Sequence, residues 1–477
     1  MNDRDTLDAG LRRYLSLFIR KAYMTLEPGR ALSVNWHQDA IAYQLERVAR
    51  GECRRLIITV PPRSLKSISV SVAFPAWVMG HNPTLKVMCV SYAQELSRTH
   101  AEAFRTVIGS DWYRRAFRAF AADPKNQRMM ELATTARGFR LATSVGGTVT
   151  GKGADIIIID DPIKPDHAYS ETLRRKANEF YDNTLYSRLN DKTTGAIVIV
   201  MQRLHEEDLV GHVLAQEEWE VLSIPSIETE DREYQTGPGQ FYRRRAGEVL
   251  HPDREPQMVL EAMKRTLGSL GFSAQYQQQP LPQEGNIVKR QWLRFYDERP
   301  KCDLVVVSWD TASTLEDDSD YSVGTVWGLH DGTIYLLEVL RDRWEVPDLR
   351  RVIEATHKRW NAAATLIEDS DIGRAVNQDL RRSKTVLPIT YRPRFDKVAR
   401  MLVQSPKFEA GQVVLPRQAP WLAEYMKELL GFPNTQHDDQ VDSTSQALDW
   451  LSGRIAAGIP PARPDPVRPA GRLRRRP

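Results

Sequence analysis

The chain has 477 residues, too many for one ordinary domain, so two or three domains are expected. Its formal net charge of +4 gives no argument by itself for a nucleic-acid partner. Three cysteines without paired spacing argue against a disulfide framework or a zinc site. No apolar run approaches the ~18 residues of a membrane span, and no signal-peptide core follows the charged N-terminus. These features predict a soluble, intracellular protein.

The first half of the chain predicts alternating strands and helices. Residues 7–51 have helical periodicity with a break near Pro28, and the segment 91–108 is predicted as a helix between two strands. The predicted strands are residues 56–60, 85–91, 138–142, 156–160, 196–201 and 219–224. This alternation indicates βαβ units and a mainly parallel sheet, so the predicted fold class is α/β.

A phosphate-binding loop is predicted after the first strand. The apolar run ends at Val60, and a short loop closed by Lys66 and Ser67 leads into a helix. In such a loop, backbone N–H groups cradle phosphate, the lysine reaches the outer phosphates and the hydroxyl binds Mg²⁺. Val60 and Leu65 stand where the usual pattern has glycine, and an ordinary helix start is the alternative.

A second apolar run supports the loop. Four isoleucines lead into Asp160 and Asp161, where a carboxylate pair is costly unless it faces a cation or water. A strand that runs into a polar turn is the alternative. The glycine-rich segment 146–153 also resembles a phosphate loop, but it leads into a strand and lacks the final hydroxyl. The first half is therefore predicted to hydrolyse a nucleotide.

The second half predicts another regular unit. Residues 304–310 form a strand, residues 321–329 and 333–340 a hairpin that turns at Asp331, residues 347–361 a helix, residues 364–368 a strand, and residues 437–451 a long helix. This order matches a ribonuclease-H-like arrangement. The predicted domains are 1–224 (P-loop ATPase with a helical N-terminal segment), 225–300 (linker subdomain with a helix near 255–267), 301–452 (ribonuclease-H-like) and 453–477 (a basic, disordered Pro/Arg-rich tail).

Acidic residues stand at the ends of these elements. Asp310 and Glu368 end two strands, and Asp438 and Asp439 open the last helix. Divalent metals prefer such oxygen ligands, and two metals can cleave a phosphodiester. The alternatives are that Asp438 only caps its helix and that Glu368 lies in a solvated acidic run.

On these motifs, from about residue 36 to residue 450, the chain resembles the large subunit of a tailed-phage terminase, a DNA-packaging ATPase and nuclease. The resemblance implies a deviant Walker A loop in which Lys66 and Ser67 bind phosphate and Mg²⁺. It further implies roles for Asp160 (Mg²⁺), Asp161 (the attacking water, where the family commonly has glutamate), Arg63 (the γ-phosphate), Gln202 (the coupling motif) and Gln38 (adenine). Ser64 and Leu65 complete the loop. The segment 272–280 also resembles the family and is expected to have a structural role.

For the second half, the resemblance implies that Asp310, Glu368 and Asp439 bind two divalent metals, Mg²⁺ or Mn²⁺. Asp438 competes with Asp439, and Asp320 and Asp442 are accessory. The implied partners are double-stranded DNA, a small terminase subunit and the portal of the procapsid, in the host cytoplasm. The implied assembly is a homo-oligomeric ring, with a monomer in solution. Arg98, Arg105, Arg137 and Arg140 are open candidates for an arginine that acts on a neighbouring subunit.

Two other functions are left open. One is a P-loop helicase or repair ATPase with a ribonuclease-H-like domain that does not cleave. The other is a non-catalytic DNA-binding scaffold. The first predicts ATP hydrolysis without metal-dependent cleavage, and the second predicts no ATP turnover.

Overall fold

The computed structural model describes residues 3–149, 151–281, 285–311, 321–435 and 437–456. It divides the chain into two units, residues 1–282 and 283–477. The predicted domain bounds at 224, 300 and 452 stay a prediction. Asp320 and the tail from residue 457 lie outside the described residues. Within those residues, no helix combines the length and the hydrophobicity that crossing a membrane requires.

The described part of the first unit contains nine α-helices. They are α1 Asp3–Arg13, α2 Leu15–Leu26, α3 Trp36–Ala49, α4 Phe74–His81, α5 Gln94–Gly109, α6 Asp111–Ala116, α7 Glu171–Phe180, α8 Leu209–Leu214 and α9 Gln257–Gln275. A π-helical segment, Ile68–Ala73, joins the phosphate loop to α4. The helical N-terminal segment and its break near residue 28 are confirmed.

The first unit is built on an eight-stranded, mainly parallel sheet. Its strands are β1 Arg55–Thr59, β2 Lys86–Ser91, β3 Ala122–Arg128, β4 Glu131–Thr134, β5 Phe139–Ser144, β6 Ile156–Asp160, β7 Ala196–Met201 and β8 Glu220–Ser223. The order is β3-β4-β5-β2-β6-β7-β1-β8, and only the pairs β3–β4 and β4–β5 are antiparallel. The six predicted strands and the α/β class are confirmed. The β3–β4 pair was not predicted, because five of the seven residues of β3 are exposed and the strand has no apolar alternation.

The interior positions of the central strands β1, β2, β6 and β7 are apolar on both faces of the sheet, because helices cover both faces. Leu56 and Ile58 pack into one hydrophobic cluster, whereas Ile57 packs into the other. Ile158 and Ile159 of β6 divide between the same two clusters. Burial of each such side chain contributes roughly 1.5–3 kcal/mol. The core therefore fixes the edge of the sheet at which the loops after β1, β6 and β7 meet.

A separate hairpin precedes α9 in this unit. Its strands are β9 Arg232–Gly237 and β10 Gln240–Arg244. The sequence indicated only a polar, turn-rich segment here. Gly239 takes a φ of +67° in the turn, a conformation that glycine adopts without strain. The predicted helix is confirmed as α9 but extends eight residues farther, with a non-helical Gly268 inside it.

The second unit has a seven-stranded mixed sheet. Its strands are β11 Arg294–Tyr296, β12 Leu304–Asp310, β13 Ser322–His330, β14 Thr333–Asp342, β15 Ala364–Glu368, β16 Ile389–Tyr391 and β17 Val413–Pro416. Its helices are α10 Val346–Trp360, α11 Asp371–Ser383, α12 Lys397–Glu409, α13 Leu422–Gly431 and α14 Asp439–Ala456. The order is β11-β17-β14-β13-β12-β15-β16. Asp331 and Gly332 both have positive φ in the predicted hairpin turn.

Buried hydroxyls tie α14 to the centre of this sheet. Ser308 of β12 donates to the carbonyl of Ser443 at 2.8 Å, and Ser443 donates back to the carbonyl of Ser308 at 2.8 Å. Thr325 of β13 lies 2.8 Å from the same Ser443 hydroxyl. These bonds fix the start of α14 beside the carboxyl end of β12.

Candidate active sites

The loop after β1 takes a strained conformation. Arg63 and Leu65 have φ values of +63° and +59°, a region that side chains other than glycine rarely occupy. Each such residue costs on the order of 1 kcal/mol. The guanidinium of Arg254 donates to the carbonyl of Arg63, so the segment before α9 holds the loop in place. Sequence reasoning missed Arg254, because 191 residues separate it from its partner.

The structure brings Ser67 and Asp160 together. The Ser67 hydroxyl donates to Asp160 at 3.1 Å, and Ser71, one helical turn later, donates to the other carboxylate oxygen at 2.6 Å. Asp160 is fully buried, and burial raises its pKa, with Ser71, Lys66 and Ser67 opposing. A carboxylate beside a hydroxyl is a donor set that suits Mg²⁺. The residues therefore fit the metal that a phosphate loop requires.

Two further buried residues lie behind this carboxylate, and sequence reasoning did not place them there. His100 Nδ1 is 3.7 Å from Asp160, and burial lowers the pKa of His100 to about 4, so the ring is neutral. Arg140 donates to the carbonyl of Ser71 at 2.9 Å. Arg140 is only 2% exposed, which removes it from the candidates for an arginine that reaches a neighbouring subunit.

Lys66 and Asp161 form an ion pair at 2.9 Å. Burial raises the pKa of Asp161, while Lys66 and the backbone N–H of Gln202 stabilise its charged form. The Lys66 ammonium, which the sequence analysis assigned to phosphate, is therefore paired with a carboxylate in this structure. Gln202 directly follows β7, is itself buried and lies next to the pair.

Among the polar atoms near the loop that are buried without a hydrogen-bond partner in the described residues, two belong to side chains that the sequence analysis assigned to the nucleotide site. They are the hydroxyl of Ser64 and Oε1 of Gln38, whose amide nitrogen donates to the carbonyl of Ser33 at 3.0 Å. A buried acceptor without a donor costs about 1–3 kcal/mol, so both atoms suit a bound ligand. The neighbouring His37 cannot supply charge, because burial lowers its pKa to about 3.

The predicted acidic residues of the second unit converge on Asp310. Asp310 ends β12 and Glu368 ends β15, and these two strands pair in parallel. Burial raises the pKa of Asp310 well above its ordinary value, and the negative charges of Asp442, Glu368 and Asp439 raise it further. Four carboxylates therefore share one region at the carboxyl edge of the sheet.

Two basic residues of α12 neutralise this cluster, and the sequence analysis named neither. Arg400 is 7% exposed and contacts Asp442 at 2.8 Å and Glu368 at 3.4 Å. Lys397 contacts Asp438 at 2.5 Å and Asp442 at 2.8 Å. Burial raises the pKa of Asp442 to about 6, against the opposing effect of both cations. Within the described ranges, no three Asp, Glu, His or Cys side chains meet in metal-binding geometry.

The structure distinguishes Asp438 from Asp439. The Asp438 carbonyl accepts the first hydrogen bond of α14, and its side chain faces Lys397 and is 34% exposed. Asp439 is 4% exposed and contributes to the raised pKa of Asp310. The helix is capped instead by Glu428 of α13, which accepts bonds from the backbone N–H groups of Gln440 at 2.7 Å and Val441 at 3.1 Å. Of the two residues, Asp439 is therefore the buried one whose charge acts on Asp310.

Comparison with known families identifies the second unit. Residues 307–450 match the model of the terminase RNaseH-like domain. The chain contains a terminase RNaseH-like domain. This range holds all four carboxylates as well as Arg400 and Lys397. No curated protein matches the chain.

Solved structures extend the likeness to most of the chain. The large terminase of a thermophilic bacteriophage matches in one crystal form with a TM-score of 0.54 at 10% identity, over 86% of this chain and 98% of that chain. The complex of that terminase with ADP matches with a TM-score of 0.52 at 9% identity, over 86% and 98%. Its complex with ATP-gamma-S matches with a TM-score of 0.51 at 11% identity, over 85% and 98%. The predicted resemblance to a terminase large subunit is confirmed for the fold and for the RNaseH-like domain.

Proposed function

We propose that the chain is the large subunit of a phage terminase, which hydrolyses ATP to drive double-stranded DNA into a procapsid and cuts concatemeric DNA. The observation that carries the proposal is that one chain holds both a phosphate loop with a metal-type carboxylate and a separate cluster of four carboxylates. Each lies at the carboxyl edge of its own sheet, where α/β folds place their ligands.

In the first unit, the loop residues 63–67 bind the phosphates of ATP, and Gln38 accepts a hydrogen bond from the base. Ser67 and Asp160 would hold Mg²⁺, which would supply positive charge to the phosphates. When ATP binds, the Lys66 ammonium exchanges its ion pair with Asp161 for a contact with phosphate. Until then, the charges of Lys66 and Asp161 neutralise each other. The freed Asp161 carboxylate then orients the attacking water, and Arg63 stabilises charge on the γ-phosphate.

In the second unit, Asp310, Glu368 and Asp439 would hold two divalent metals, Mg²⁺ or Mn²⁺. The ions would activate water and stabilise the leaving oxygen of a phosphodiester. Arg400 and Lys397 balance the negative charge of the cluster when metal is absent. Both become available to DNA phosphate when cations take over the carboxylates.

The proposed partners are double-stranded DNA, a small terminase subunit that selects the site, and the portal of the procapsid. The large subunits assemble there as a ring in the host cytoplasm. DNA contacts made to phosphates would let packaging ignore sequence.

Cleavage of supercoiled plasmid in Mn²⁺ or Mg²⁺, measured with ATP turnover on the same preparations, tests the proposal. We expect Asp310→Ala to abolish cleavage and keep ATP turnover, and Lys66→Ala to do the reverse. Asp303→Ala, an exposed aspartate just before the other end of β12, is the matched control and should change neither activity.

The outcomes separate the rival functions. ATP turnover without metal-dependent cleavage by the wild type would favour a helicase-type ATPase. Neither activity would favour a scaffold. Cleavage that survives Asp310→Ala would refute the assignment of the nuclease centre.

A further inference from the structure

The segment 272–280 has no role in the proposed chemistry, although it contains three successive glutamines. Gln277 is half-buried, and its side chain bonds both backbone groups of Ile227, at 3.0 and 2.8 Å. Gln279 is exposed at the surface of its unit. Gln278 differs from both, because it is 5% exposed and has a φ of +58°. A buried glutamine in a strained conformation requires compensating contacts.

Those contacts join two elements of the first unit. Oε1 of Gln278 accepts a bond from the backbone N–H of Arg203 at 3.0 Å, and its amide nitrogen donates to the carbonyl of Gln275 at 2.6 Å. Arg203 directly follows Gln202 at the end of β7, and Gln275 is the last residue of α9. One side chain therefore connects the coupling segment to the end of the longest described helix of the unit.

The other end of this connection reaches the phosphate loop. The backbone N–H of Gln202 faces the Asp161 carboxylate and helps to lower its pKa, and the same carboxylate pairs with Lys66 at 2.9 Å. The side chain of Arg203 is fixed separately, because its guanidinium bonds both carboxylate oxygens of Asp208 at 3.1 and 2.9 Å. A displacement of Asp161 would thus act on the backbone between Gln202 and Arg203, where Gln278 is bound.

We propose that Gln278 is a positioning residue that transmits the nucleotide state of the phosphate loop, through the backbone of Gln202 and Arg203, to helix α9. The proposal rests on the proposed function, since it requires that Lys66 exchange Asp161 for phosphate. Networks of this kind couple sites when the elements they join have two arrangements. The segment is also the last described part of the first unit, and the chain passes to the second unit after residue 282.

Hydrogen–deuterium exchange of the full chain, with and without ATP-gamma-S, tests the transmission. In the wild type, we expect the nucleotide to slow exchange by at least about threefold in residues 60–70 and to change it by a similar factor in residues 268–275. Gln278→Met has the same length but lacks both hydrogen bonds. It should keep the change at the loop and lose the change in α9.

Two further variants make the result specific. Gln279→Met, the exposed neighbour, should behave as the wild type. Gln278→Glu keeps the acceptor toward Arg203 but loses the donor toward Gln275, so it should also lose the α9 response. This variant takes the place of Gln278→Met if the methionine variant does not fold.

An α9 response that persists in both Gln278 variants would overturn the inference, as would a wild type in which only the loop responds. A wild type whose loop is not protected by the nucleotide would overturn the proposed ATPase itself, and the inference with it.

Discussion

At the scale of single residues, both sites place a cation against buried carboxylates. Lys66 pairs with Asp161 in the first unit, and Arg400 bridges Glu368 and Asp442 in the second. The energetic consequence is the same in each case: removal of the cation leaves charges that burial makes costly. Sequence order predicted the carboxylates and Lys66, because these residues adjoin apolar strands. Arg400 lies inside an amphipathic helix, where nothing in the sequence distinguishes it from a surface arginine.

Arg400→Met should lower the midpoint of thermal unfolding, because breaking a buried ion pair costs about 3–5 kcal/mol. Mn²⁺ should raise the midpoint more in this variant than in the wild type, since the metal then replaces the missing cation. Thermal scans with Mn²⁺ and with a chelator measure both effects.

Arg392→Met is the matched control, since Arg392 is 82% exposed in its pair with Asp369 and should change the midpoint little. Equal stabilisation of Arg400→Met and wild type by Mn²⁺ would contradict the proposed exchange of cations.

At the scale of elements, two strand ends position Asp310 and Glu368, and the start of a helix completes the cluster of four carboxylates. The start of α14 presents Asp439 and Asp442, and its first N–H groups need acceptors. Asp438 stands at the capping position, as the sequence suggested, but its side chain binds Lys397. Glu428, from the preceding helix, supplies the cap instead. A capping residue that belongs to another helix leaves no pattern in the sequence near the helix it caps. Only the packing of α13 against α14 therefore identifies Glu428 as the cap.

Glu428 gives a pH dependence that can be measured. Burial raises its pKa from an ordinary value near 4.5 to about 7. Because this pKa is higher in the folded state than in the unfolded state, the stabilisation that protonated Glu428 gives the folded state is fully present below pH 4.5. It is lost as the pH rises through 7, so the free energy of unfolding falls by at most about 3 kcal/mol. The unfolding midpoint of Glu428→Gln, which keeps an acceptor for the helix, should therefore improve relative to the wild type between pH 5 and pH 8.

Glu424→Gln on the same helix is the control, because its side chain is 63% exposed. Its midpoint should follow that of the wild type at every pH. A parallel pH dependence in Glu428→Gln and wild type would show that Glu428 does not ionise in this range.

At the scale of the whole molecule, two units with separate cores hold the two sites. A ligand that binds only the folded form stabilises it by about 2.7 kcal/mol at a concentration 100 times its Kd. Because the sites lie in different units, each ligand should act through its own residues.

ATP-gamma-S should therefore raise the unfolding midpoint of the wild type. In Lys66→Met, ATP-gamma-S should leave the midpoint unchanged, while Mn²⁺ added in the presence of this nonhydrolysed nucleotide should still raise it. Asp310→Asn should remove the Mn²⁺ response of the second unit and keep the response to nucleotide. Differential scanning calorimetry of the full chain measures the shifts. Loss of both responses in either single variant would show that the two sites are not independent.

Local signals in the sequence were enough to predict the class of fold, the succession of strands along the chain and the residues at the ends of those strands. Long apolar runs and the charged residues that follow them are such signals, and the burial of strands on both faces makes them strong. The hairpins β3–β4 and β9–β10 gave no such signal, because one strand of each, β3 and β10, is mostly exposed and lacks apolar alternation.

The packing of the folded chain, in contrast, specifies which distant side chains complete each site. Arg254 on the phosphate loop, Arg400 between the carboxylates, Glu428 on α14 and Gln278 on the coupling segment all act on partners that lie outside their own elements. Their partners are set by how helices pack on the sheets. Packing depends on the summed shape of many side chains, so no single stretch of the sequence encodes these contacts.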